Sequence, residues 1–242
     1  MQEITNILNN LKEQLNVDNK NFIGLFLYGS QNYGLSYANS DYDFICLVIN
    51  TDKIFDTIRH EQGQVKVYNL DFFSHKLMRG DLECLEILFT CYKYINPAYH
   101  DIITELYDSV RLFGQDNLIK KSLKNKLKEH IDYLEIGTKK DSGFYSKKRL
   151  YWAFRVKKQL EQILAGKSFE ESLQYPENLI DDLMAVKTGK TQLSREEYEA
   201  KKDELINFLH NLPEFECSSN LGIFKNVRKF INDIRRKECT LV

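Results

Sequence analysis

The sequence predicts an α+β chain: a short mixed sheet in the first hundred residues, then an all-helical module. Three observations predict it. Strand-like apolar runs are confined to the segment before Phe73. From Asp101 onward, apolar residues recur at helical spacing almost without a break. Strands that run first and helices that run later fit two modules better than one doubly wound sheet. The expected division is residues 1–100 and residues 101–242.

In chain order, Ile4, Ile7, Leu8, Leu11 and Leu15 give residues 2–16 a helical period. Phe22–Leu27 is a short apolar run that ends in Tyr28-Gly29-Ser30, a buried strand entering a tight turn. Turn formers follow, and Asp41–Ile49 reads as a second strand. Residues 51–60 read as a short helix with Thr51 as its N-cap. Val65, Val67 and Leu70 make Gln64–Phe73 a third strand, and Leu77, Leu82, Leu85, Leu88 and Phe89 make 74–93 a helix. The helices expected beyond are 101–113, 117–136, 144–166, 177–187, 194–211 and 222–238, punctuated by Gly137, Gly143, Gly166 and Gly189. Ser194 followed by Glu197 is a capping-box signature.

Composition excludes several classes. With 242 residues, 43% hydrophobic and 29% charged, the chain is neither disordered nor collagen-like. Its longest apolar runs fall far short of the roughly 20 residues of a membrane helix. The N-terminal stretch lacks the pattern of a secretory signal. The five cysteines are scattered and without CxxC spacing, so they read as reduced thiols. The five histidines show no metal spacing and read as surface or satisfied core residues. A cytoplasmic protein is expected. The net charge of −1 hides an asymmetry. Residues 120–158 hold 13 Lys and Arg against 4 Asp and Glu. Such a block suits a phosphate-bearing partner, or else the solvated faces of amphipathic helices. The cluster Lys147, Lys148, Arg149, Arg155, Lys157 and Lys158 is the densest part, with only Glu161 following to balance it.

The chemistry concentrates between Gly29 and Asp43. Side chains two apart on a strand point to one face, so Asp41 and Asp43 would lie side by side. Adjacent carboxylates repel, and a cation between them relieves the repulsion. Mg²⁺ suits such a pair, because it takes one or two carboxylates together with phosphate oxygens and water. A Gly-Ser turn at a strand end offers N–H groups and a hydroxyl to a phosphate. Either feature alone is commonly just a turn or a strand end. Here both occur within fifteen residues of each other, each attached to an apolar strand.

The stretch Gly29-Ser30-Gln31-Asn32-Tyr33-Gly34-Leu35, then Ser40-Asp41-Tyr42-Asp43, resembles the nucleotidyltransferases of the DNA polymerase β superfamily. The nearer likeness is to a branch of bacterial and phage nucleotidyltransferases associated with RNA repair, written Gly-Ser-x-x-Tyr-Gly-Leu and Ser-Asp-x-Asp. Looser likeness continues through Leu70–Phe89, Lys148–Arg155 and Tyr175–Gly189, so it spans about residues 22–210. The resemblance implies a polymerase β-like palm in residues 1–100 and a helical domain closing the nucleotide and acceptor cleft in 101–242. It implies that Asp41 and Asp43 are catalytic and hold Mg²⁺, with Mn²⁺ as a substitute. Gly29, Ser30, Tyr33 and Ser40 would bind the nucleotide, an NTP and foremost ATP. An NMP would pass to a hydroxyl, and pyrophosphate would leave.

One position departs from the family's pattern. A third carboxylate is expected on the next strand, and the matching residue is Gln64. Glu61 or Asp71 supplies the charge if the register differs. Otherwise Glu86 reaches in from the following helix, or the ion is weakly held. Lys148, Tyr151, Trp152 and Arg155 are spaced i, i+3, i+4, i+7 and share a helix face. Lys148 and Arg155 could clamp a triphosphate, with Tyr151 or Trp152 stacked on the base; otherwise the aromatics are core. The expected acceptor is a tRNA-like RNA 3′ end met by the basic block. The alternatives are a protein hydroxyl, as in an AMPylator or antitoxin-type enzyme, and a nucleotide-binding regulatory module with little turnover.

Overall fold

The computed structural model describes residues 18–36, 40–50, 55–60, 63–112, 117–140, 147–175, 177–188, 193–216 and 221–241. The expected helix over 2–16, the Thr51 cap and Glu61 lie outside them. The chain is α+β, as expected, with a five-stranded mixed sheet. It divides into two compact units.

The sheet unit comprises Met1–Asn32, Ser36–Phe113 and Ser219–Val242. Its strands are β1 (Phe22–Tyr28), β2 (Tyr42–Val48), β3 (Phe55–His60), β4 (Gly63–Asn69) and β5 (Lys93–Ile95), in the order β3-β4-β2-β1-β5. β2 and β4 run parallel, and the other pairs are antiparallel. Alternation, shifted once by the irregularity between Phe22 and Gly24, sends Phe22, Leu25, Leu27, Phe44, Cys46, Val48, Val65 and Val67 to one face, where they form a buried cluster. It sends Tyr28, Asp43 and Gln64 to the opposite face. They stand in one row, because Tyr28 pairs with Asp43 and Asp43 with Gln64.

Three local expectations are corrected. Over 55–60 the chain is a strand, not a helix; it hydrogen-bonds along β4, and Ile58 packs on the apolar cluster. The third strand stops at Asn69 instead of reaching Phe73. The Asn69 side chain accepts a 2.8 Å hydrogen bond from the Phe72 amide and starts α1 (Leu70–Met78). The single helix expected over 74–93 is broken at Gly80, whose φ of 70° is the left-handed conformation glycine tolerates. Asp81 then caps α2 (Leu82–Phe89), and the chain returns to the sheet as β5.

The sheet unit also keeps α3 (His100–Leu112) and, from the far end of the chain, α9 (Leu221–Thr240). α3 buries Ile103, Leu106 and Val110, and α9 buries Val227, Phe230 and Ile234. Phe230 meets Phe73 of α1 edge-on at 6.2 Å. A helix belongs where its apolar stripe is covered, so the helical part of the chain is shared between the units rather than beginning at residue 101.

The helical unit is Gly114–Ser218 together with the three residues Tyr33–Leu35. Its helices are α4 (Asn117–Lys140), α5 (Lys147–Leu164), α6 (Phe169–Ser172), α7 (Glu177–Thr188) and α8 (Arg195–His210). Leu123, Leu127, Ile131 and Leu134 of α4 and Leu150, Ala153, Val156, Leu160 and Ile163 of α5 form buried stripes. The Ser194–Glu197 capping box is formed as its spacing predicts. A second one, Ser168 with Glu171, starts the four-residue α6, too short to carry a period. No helix among the described residues is long and apolar enough to cross a membrane. The four described cysteines are free thiols.

Candidate functional site

In the sheet unit the candidate site is built at the C-terminal end of β1. The chain leaves that strand through a 3₁₀ turn, Gly29–Tyr33. Gly29 has φ of 80°, which favours glycine, and it is buried. A Cβ placed on it would lie 3.6 Å from Asp43 Oδ2. The first residue of the Gly-Ser turn and the second carboxylate of the Asp-x-Asp therefore stand against each other. Asp43 is half-buried within β2, and Asp41, one residue before that strand, is exposed. Ser30 and Ser40 are half-buried, and Gln31 Nε2 donates to the Ser40 carbonyl at 3.3 Å, tying the loop across its base.

Gln64 occupies the place beside Asp43 where a third carboxylate was expected. Its neighbourhood is acidic all the same. The Tyr28 phenol is held far above its usual range, by burial first, then by the charges of Glu83, Asp43 and Glu86, with a hydrogen bond from Gln64 pulling the other way. Glu83 takes Lys66 Nζ at 2.8 Å and the Tyr68 hydroxyl at 3.2 Å. The Lys66 ammonium also lies 4.8 Å from the Tyr28 ring centroid. Glu86 is buried on α2. Asp71 sits instead on the first turn of α1, exposed and paired with Arg235 Nη2 at 2.7 Å. Among the described residues, no three His, Cys, Asp or Glu gather closely enough to hold a metal by themselves. Asp43 with a neutral amide beside it, and Asp41 exposed two residues earlier, fit Mg²⁺ that arrives with phosphate oxygens, not a cage built wholly of protein.

In the helical unit a second set of expected residues comes together. Arg155, buried on α5, lays its guanidinium 4.4 Å from the centroid of the Tyr33 ring and 4.7 Å from that of Trp152. Tyr33 meets Tyr175 edge-on at 6.3 Å. Lys187 of α7 donates from Nζ to the Leu35 carbonyl at 2.6 Å and lies 5.4 Å from the Tyr151 ring centroid. Its ammonium pKa is depressed, by burial first and then by Lys148 and Arg155. Arg155 and Lys187 thus meet the segment Tyr33–Leu35, with Lys148 near enough to Lys187 to act on its charge. Tyr151 is 1% exposed, so its ring is packed within the unit. Lys187 was not singled out from sequence, since it stands far along the chain from Arg155. Its signal was the Leu-x-x-x-Lys-x-Gly pattern of Leu183–Gly189.

The basic block is less bare than its composition implies. Lys124 pairs with Glu214 at 2.7 Å and Lys126 with Glu129 at 3.0 Å. Lys157 pairs with Glu161 at 2.5 Å and Glu204 at 3.2 Å, and Lys158 with Glu161 at 2.9 Å. Glu204 and Glu214 come from distant sequence, which a local charge count misses. Lys121, Lys128 and Lys148 remain exposed. His130 is also not as expected. It is buried and stacked on Trp152 at 6.2 Å, and both its ring nitrogens lack a hydrogen-bond partner among the described residues. Burial, then Lys126, pushes its pKa down to about 4. Compared with protein-family models and with curated proteins, the chain matches none.

Proposed function

We propose that this chain is a Mg²⁺-dependent nucleotidyltransferase with a polymerase β-like palm, passing an NMP from an NTP to a hydroxyl acceptor. The observation that carries the reading is the Asp43 carboxylate lying 3.6 Å from where a Cβ on Gly29 would stand, in a row with Gln64. It joins a phosphate-binding turn to a metal-binding carboxylate, the two parts the chemistry needs adjacent. Asp41 and Asp43 hold Mg²⁺, and Gly29 and Ser30 hold the β- and γ-phosphates. Within the helical unit, the cations Lys148, Arg155 and Lys187 suit a phosphate-bearing ligand. When bound, Mg²⁺ lowers the pKa of the acceptor hydroxyl and neutralises the leaving pyrophosphate. The protein's own contribution is positioning and fixed charge. An RNA 3′ end is the favoured acceptor, met by Lys121, Lys128 and Lys148. A nucleotide binder with little turnover is the rival reading, favoured by Gln64 where a carboxylate was expected.

Incubation with α-labelled ATP, then the other NTPs, in Mg²⁺ or Mn²⁺ with total RNA and protein tests the reading. Label entering RNA and lost in Asp43→Asn supports it in full. Label on protein moves the acceptor to a protein hydroxyl. NTP uptake without pyrophosphate release selects the rival. Neither uptake nor label overturns both.

A further inference from the structure

Tyr28 is the member of the Asp43 row to which the reading above gives no part. It ends β1 and pairs with Asp43 of β2, and Asp43 pairs with Gln64 of β4, so the three side chains leave one face of the sheet side by side. Tyr28 is 7% exposed, while Asp43 and Gln64 are half-buried. Its ring is fixed from the same face. Lys66, two residues after Gln64 on β4, holds its ammonium 4.8 Å from the ring centroid. Both Glu83 oxygens accept from that ammonium, at 3.0 and 2.8 Å, and the Tyr68 hydroxyl donates to the same carboxylate at 3.2 Å.

A phenol so held presents its oxygen in one place. That oxygen is hydrogen-bonded to the Gln64 side chain, and the bond favours the phenolate, so the amide N–H is its donor. A primary amide has one donor end and one acceptor end. With the nitrogen committed to Tyr28, the carbonyl oxygen is the atom Gln64 has left to offer a hard cation beside Asp43. A glutamine not held in this way can turn its NH₂ end toward the cation, which repels it. A carboxylate has no wrong end, since both of its oxygens accept. A neutral residue at this position therefore needs an orienting partner that a carboxylate would not, and the row supplies one.

We propose that Tyr28 is a positioning residue for the divalent cation: its hydroxyl turns the Gln64 amide so that the carbonyl oxygen serves with Asp43 as a ligand. The proposal rests on the reading of Asp43 as a metal-binding carboxylate. Groups that orient a metal ligand in this way typically govern about 10- to 100-fold in metal affinity.

The test is titration of the full chain with Mn²⁺, followed by the paramagnetic resonance of the free ion, with Mg²⁺ as competitor. Tyr28→Phe keeps the ring against Lys66 and removes only the hydroxyl. It should weaken Mn²⁺ uptake about tenfold. Gln64→Glu should tighten uptake, and Tyr28→Phe should cost nothing in that background, because the carboxylate needs no orienting. A merely structural role for the phenol would cost the same in both backgrounds. Circular dichroism confirms the fold of each variant. Equal losses in the two backgrounds, or no loss in either, overturn the proposal and leave the Asp43 site standing. Uptake that Asp43→Asn does not weaken puts the ion elsewhere and overturns the reading as well. No Mn²⁺ uptake by the parent at millimolar concentration overturns the proposal too.

Discussion

Lowering the pH from 7 to 5 should destabilise the protein through His130. This ring is 6% exposed, packed on Trp152, and without a hydrogen-bond partner for either nitrogen among the described residues. Its neighbours include Lys126, Arg149 and Arg155, with only Glu129 opposing them. Burial therefore holds its pKa at about 4 against 6.5 in the unfolded chain. The unfolded state takes the proton first, so the stability His130 permits is full above pH 6.5 and is lost as pH falls toward 4. Each pH unit through that window costs about 1.4 kcal/mol, so the loss by pH 5 is about 2 kcal/mol. His130→Phe keeps a flat ring against Trp152 and removes the titration. Urea unfolding of both proteins at pH 7, 6 and 5 should show the variant gaining about 2 kcal/mol on the parent across that range, whatever the carboxylates common to both do. Equal pH slopes, or a His130 ring resonance titrating near 6.5, would refute the burial argument.

Other outcomes are expected at the site. Gly63→Ala should cost about 2 kcal/mol or more, because its Cβ would fall 2.1 Å from the Tyr42 carbonyl oxygen, a backbone atom that cannot step aside; an unchanged Tm would count against the close β2–β4 approach. Gln64→Asp should tighten Mg²⁺ binding on the order of tenfold in calorimetry, since a carboxylate replaces an amide beside Asp43; no gain would remove Gln64 from the ligand set. Lys187→Met should weaken metal-free ATP binding by about tenfold through loss of one cation and of its bond to Leu35, and unaltered affinity would take Lys187 out of the nucleotide site.

Much of this architecture is legible in the chain, and the illegible parts share a cause. β1 is a continuous apolar run, β2 becomes one after Asp43, and the long helices carry a 3.6-residue period, so these elements announce themselves locally. β3 does not: Asp56, Arg59 and His60 blunt its alternation, and it is a strand because β4 offers it a ladder. β5 has three residues and no period at all. The break at Arg79-Gly80-Asp81 was readable, since a glycine followed by a capping aspartate is a stop and a start. At the site, Gln64 was reached by counting back from Leu85-Glu86 in the pattern that the chain resembles, and on β4 it stands beside Asp43. The approach of Lys187 to Leu35, the sharing of Glu204 and Glu214 with the basic block, and the burial of His130 are tertiary, and no local spacing encodes them.

The three residues Tyr33–Leu35 sort with Gly114–Ser218, although the chain on either side of them sorts with the sheet, and Ser219–Val242 sorts with the sheet as well. The two units are therefore interleaved along the gene, not concatenated. Truncation after Phe113 would strip one piece of its closing helix and deprive the other of the Tyr33 ring and the Leu35 carbonyl. Recombinant halves cut there should expose apolar stripes and precipitate, and a nick at that point should leave two fragments that stay together until denatured.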